Sequence, residues 1–114
     1  MHMKSALVLM FIGSLSLILI SAAPPENKGA PEISIDAASK GHVGFPHRRH
    51  QESLGDCKLC HTLFPQEANS IRKNITAGTL KKKEVMGHCR DCHSKKVAAG
   101  EKAGPTSCAK CHPK

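Results

Sequence analysis

Aromatic side chains are nearly missing from this chain. It has no Trp and no Tyr, and its 3 Phe account for 3% of 114 residues. Beyond residue 23 only Phe45 and Phe64 remain. Aromatic rings supply much of the buried area of an ordinary core, so this polypeptide cannot build one from its own side chains. The same shortage removes the stacking platforms on which single-stranded nucleic acids lie. Long apolar runs are also scarce. Ala6–Ile20 is the single one, at 15 residues, and a bilayer span needs about 20. A spanning helix is therefore not expected.

Position gives that run another meaning. Lys4 precedes it, and the small residues Ser21-Ala22-Ala23 follow. A basic start, an apolar stretch and a small-residue cleavage site make a secretory signal peptide over residues 1–23. A cut after Ala23 would make Pro24 the first residue, a poor site, so the cut is expected after Ala22 or further on. No cysteine follows the run to take a lipid. The exported chain is expected to be free of the membrane, with a mobile polar leader over 24–31 and one domain over 32–114.

Six cysteines are present, and all six share one pattern. Cys57-Lys58-Leu59-Cys60-His61, Cys89-Arg90-Asp91-Cys92-His93 and Cys108-Ala109-Lys110-Cys111-His112 are three copies of C-x-x-C-H. Histidine numbers 8 of 114 residues, so three chance matches out of three would arise at roughly a few in ten thousand. The pattern is that of covalent c-type haem attachment. Each sulfur joins one vinyl group, two intervening residues let both reach one porphyrin edge, and the next histidine falls under the iron. A zinc site over Cys89, Cys92, Cys108 and Cys111 would leave Cys57 and Cys60 unused and the three histidines unexplained. A disulfide framework ignores the histidines as well. Haem attachment outside the cytoplasm agrees with the export signal.

Three haems would replace the missing core, and without them no stable fold is expected. They also change the charge. Without Lys4 there are 16 Lys and Arg against 9 Asp and Glu, a balance of +7. Six haem propionates offset most of it, which leaves local basic patches and no case for nucleic acid. The expected fold is small, mainly α-helical and irregular. A short N-terminal hairpin, Ile33-Ser34-Ile35 with Val43-Gly44-Phe45, precedes a few short helices wrapped around three haems.

Each iron needs a sixth ligand or has an open position. Outside the motifs, the histidines beyond residue 23 are His42, His47, His50 and His88, and the one methionine is Met86. Four histidines for three irons favour two histidines on each. His47 and His50 are three apart, which on a helical turn puts them on one face, within reach of two neighbouring haems. His42 is the least needed.

The spacing of FPHRRHQESLGDCKLCH, the second motif and the ending GPTSCAKCHPK resemble the three-haem cytochrome c7 family, relatives of the four-haem class III cytochromes c3. The resemblance covers about Ile33 to Lys114. It implies that His47 ligates the haem on Cys57 and Cys60, and His50 the haem on Cys89 and Cys92. It implies that a histidine shortly before the second motif, here His88, ligates the haem on Cys108 and Cys111. His88 stands directly before Cys89, so Met86, His42 or an open position are the alternatives there. The implied role is anaerobic respiration. Electrons would pass from an inner-membrane donor to other multihaem cytochromes or a metal-reducing system, through a monomeric low-potential carrier that is not an enzyme. An open third iron would instead make a haem enzyme or ligand sensor.

Overall fold

The computed structural model describes residues 21–114. The expected signal sequence lies outside the described residues, apart from Ser21, Ala22 and Ala23. The alternating apolar stretches form the expected hairpin. β1 is Ile33–Asp36 and β2 is His42–Phe45. They pair antiparallel, with Ile33 opposite Phe45 and Ile35 opposite Val43. Side chains two apart share a face, so these four apolar residues make one face. Ser34, Asp36 and His42 make the other. Between the strands, the Asp36 carboxylate accepts the Ala38 N–H at 2.7 Å and a 3-10 turn covers Ala38–Lys40.

Pro46 has no N–H to continue the ladder, and β2 stops before it. α1, His47–Leu54, begins at once and ends where Gly55 N–H donates to the Gln51 carbonyl at 3.0 Å. α2, Lys58–His61, is a single turn on the first motif. Thr62–Gly87 holds no C-x-x-C-H motif, yet one helix forms within it and a second starts there. α3 is Ser70–Ala77, and α4 runs from Lys82 to Ala98 over 17 residues, carrying the whole second motif. The Glu84 carboxylate accepts the Lys81 N–H at 2.6 Å and closes the start of α4. α5, Cys108–Cys111, is a turn on the third motif.

Among the described residues, Phe64 and Leu80 are the buried apolar side chains and Ser70 the buried polar one. The Arg72–Asp36 pair at 3.4 Å ties α3 to β1, but such exposed pairs add about 1 kcal/mol at most. Protein atoms thus make almost no core. The elements line cavities, as a fold wrapped on large cofactors requires. No helix among the described residues is long and apolar enough to cross a membrane.

Candidate haem sites

Two cavities receive the cysteine motifs. The smaller, about 1020 Å³, is lined by Cys57, Cys60, His61 and His47. The larger, about 1890 Å³, is lined by both cysteines and the histidine of the second and third motifs, and by His88 and Met86. Ordinary ligand pockets run to about 1,000 Å³. The smaller cavity is therefore of single-cofactor size. The larger has nearly twice its volume and carries two motifs. His50, Cys60 and Cys89 line both, so the first and second sites share a wall. His42, on the polar face of the hairpin, lines neither.

None of the six cysteines is in a disulfide. Burial pushes the Cys89 thiol up to about 11, and neighbouring Cys60, Cys111 and Cys92 add to the shift. Burial first, then Cys92 and Cys57, also raises Cys60. Sulfurs from all three motifs therefore lie close enough to feel one another. Protonated thiols resist the exchange chemistry that thiolates undergo. Among the described residues no three His, Cys, Asp or Glu gather around a single-ion site.

The histidines are paired. The rings of His47 and His61 have centroids 6.1 Å apart, and those of His50 and His93 are also 6.1 Å apart. An imidazole nitrogen sits about 2 Å from a bound metal with its centroid about 1 Å behind, so two rings on opposite sides of one ion are about 6 Å apart. The residues fit an iron between each pair. α1 carries one ring of each pair, and its three-residue spacing puts both on one face.

Each of these four rings is held from behind. His47 Nδ1 bonds the Ala30 carbonyl at 3.0 Å, and His50 Nδ1 the Pro46 carbonyl at 2.9 Å. His61 Nδ1 bonds the Phe64 carbonyl, and His93 Nδ1 the Pro105 carbonyl, both at 2.7 Å. A carbonyl can only accept, so Nδ1 carries the proton and Nε2 is the bare nitrogen a metal needs. At His93 the hold is tight. A Cβ on Gly104 would lie 2.6 Å from His93 Cε1, so the loop can approach only because residue 104 has no side chain. Arg90 Nε pins the same loop by donating to the Thr106 carbonyl at 3.1 Å.

The third site is built differently. His112 Nδ1 is buried with no hydrogen-bond partner. His88 packs edge-on against Phe64, with ring centroids 5.4 Å apart. Among the described residues no further histidine pair stands at the 6.1 Å spacing.

Residues 43–113 match the family described as cytochrome c7 and related cytochrome c. The chain belongs to the cytochrome c7 family. A cytochrome c7 of Geobacter metallireducens is 35% identical over 77 residues, covering 68% of this chain and 70% of the relative. A cytochrome c3 of Desulfuromonas acetoxidans is 33% identical over 73 residues, covering 64% of this chain and 84% of the relative. The structure resembles the solved triheme cytochrome PpcA of Geobacter sulfurreducens, at 31% identity and a TM-score of 0.52. PpcB, a cytochrome c7 of the same organism, gives 29% and 0.51. Each covers 75% of this chain and all of the solved one. As a cytochrome c7, the protein is a multihaem electron-transfer cytochrome, and its six cysteines fit three haem c attachments.

Sequence reasoning missed the four carbonyl acceptors and Gly104. Every residue has a carbonyl, so the acceptors carry no residue-type signal. One cue is present. Ala30 and Phe64 each precede a proline, and Pro46 and Pro105 are prolines. Proline fixes its own backbone and that of the residue before it, which holds such a carbonyl in place.

Proposed function

We propose that this cytochrome is a periplasmic, low-potential electron carrier with two histidines on each iron, and that it is not an enzyme. The observation that carries the reading is the 6.1 Å separation within the His47–His61 and His50–His93 pairs. In this reading Cys57 and Cys60 anchor the first haem, Cys89 and Cys92 the second, and Cys108 and Cys111 the third. His61, His93 and His112 are the fifth ligands. His47, His50 and His88 are the sixth, with Met86 competing for the third site.

Bound haem supplies a one-electron iron couple. The chain does the rest. Paired rings fill both faces of an iron and leave no place for a substrate. Carbonyls behind the rings make them stronger donors, which favours the oxidised metal. Histidine in place of methionine avoids the potential-raising ligand. The signal-like residues 1–23 and the attachment chemistry support export. Lys95, Lys96, Lys102, Lys110 and Lys114 surround the second and third sites and suit acidic redox partners, whose association would weaken as salt rises. An inner-membrane donor and multihaem or metal-reducing acceptors fit this role, with the carrier as a monomer.

Carbon monoxide tests the reading. The reduced holoprotein at neutral pH should bind none, and its mass should exceed the apoprotein's by three haems. Binding at the first or second site would overturn it. Binding at the third alone would favour a ligand sensor or haem enzyme there, a reading that the unpartnered His112 Nδ1 and the Phe64-packed His88 support.

A further inference from the structure

The segment ahead of the hairpin reads in sequence as a leader, yet it is hydrogen-bonded to α1, the helix that carries His47. We propose that residues 27–31 are a fixed wall of that site, a strap that sets the orientation of the His47 ring. The inference rests on His47 being a haem ligand.

The strap is built by local chemistry. The Asn27 side-chain oxygen accepts the Gly29 N–H at 3.0 Å, a side-chain turn typical of Asn. Gly29 then takes φ +78, a left-handed backbone that costs glycine nothing. The turn delivers the Ala30 carbonyl to His47 Nδ1. Gly29 itself lies against the ring, since a Cβ there would be 3.4 Å from His47 Cε1.

α1 holds the strap at two more points. Arg48 N–H, at the open start of the helix where N–H groups lack helical partners, donates to the Pro31 carbonyl at 2.9 Å. Gln51, one turn after His47 on the same face, donates Nε2 to the Lys28 carbonyl at 2.7 Å. Four consecutive residues are thus fixed by three hydrogen bonds to one helix. One of those bonds decides which nitrogen of His47 is bare. His61, across the cavity, takes its acceptor from Phe64, within the first site's own loop. The two rings of one site are therefore oriented by segments far apart in sequence. Signal cleavage must fall before Asn27 for the first site to be complete.

The test uses the exported holoprotein. Gln51→Ala cuts the Lys28 tie, and Gly29→Val opposes both the left-handed backbone and the approach to the ring. His47→Ala is the reference that opens one haem to carbon monoxide. Both strap variants should retain three haems by mass. Each should bind carbon monoxide at the haem that His47→Ala opens, where wild type binds none, because losing an outer partner weakens a ligand's hold on its metal. The potential of that haem should rise while the other two stay fixed. Wild-type binding and potential in both strap variants, beside an opened His47→Ala, would overturn the strap and leave the ligand intact. A mature mass showing that the chain starts after Pro31 would also overturn it. If His47→Ala opens no haem, the ligand assignment fails and the strap falls with it.

Discussion

His61 and His93 each give Nδ1 to a carbonyl at 2.7 Å, while the Nδ1 of His112 is buried without a partner. All three follow the same C-x-x-C pattern. The difference lies in what stands behind each ring. Phe64 closes on His61 from just beyond α2, and the Gly104–Thr106 loop closes on His93. His112 is followed by Pro113 and Lys114, and neither offers its Nδ1 a carbonyl. The motif therefore specifies attachment, and a separate proline-fixed backbone specifies ring orientation. At the first two sites a carbonyl holds both rings, the motif histidine and its partner alike; at the third the motif histidine has none.

The largest test of this contrast removes the paired rings. His47→Ala should turn one haem high-spin and open it to carbon monoxide, His50→Ala a different one, and the double variant two. Spin state by visible and electron paramagnetic resonance spectra reads the count. If both single variants open the same haem, the pairing is wrong. At the third site, His88→Ala should open one haem only. A fully low-spin variant that binds no carbon monoxide would pass the role to Met86. That ligand has its own signature, a weak sulfur–iron band at the red edge of the oxidised spectrum.

Much of this arrangement was legible in the residues. Alternation of Ile33, Ile35, Val43 and Phe45 gave the hairpin, Pro46 its end, and the three-residue spacing of His47 and His50 their common helix. Strict spacing exposed the attachment sites. α3 went unread although Ile71 and Ile75 stand one helical turn apart, and α4 was not legible because its apolar residues follow no clean helical period. α4 turns its cysteines and His93 toward a cofactor cavity instead of a protein core. The ring-holding carbonyls escaped for another reason. They belong to the backbone, and only the neighbouring prolines mark them.

Gly104→Ala is a smaller perturbation on the well-built side. The new Cβ would meet His93 Cε1 at 2.6 Å, so the loop must retreat and the Pro105 bond must lengthen or break. Overpacking of this kind costs about 1–3 kcal/mol. Thermal unfolding of the holoprotein should show that loss. The second haem should also become easier to reduce, with the first unchanged. Wild-type stability and potential would mean that the loop does not hold the ring.

The smallest expected effect needs no substitution. A ring whose Nδ1–H is held by a carbonyl is a stronger donor and stabilises the oxidised iron. With a net hydrogen bond near 1 kcal/mol, each one missing should raise a one-electron potential by about 40 mV. The third haem should therefore have the highest potential of the three, whether His88 or Met86 completes it, and methionine would raise it further. Haem-resolved redox titration by nuclear magnetic resonance measures the order directly. A third haem that is reduced last would break the link between ring-holding carbonyls and potential. A third haem that is reduced first would place the resting electron at the lysine-bordered end of the molecule, beside Lys110 and Lys114, where an acidic acceptor would dock.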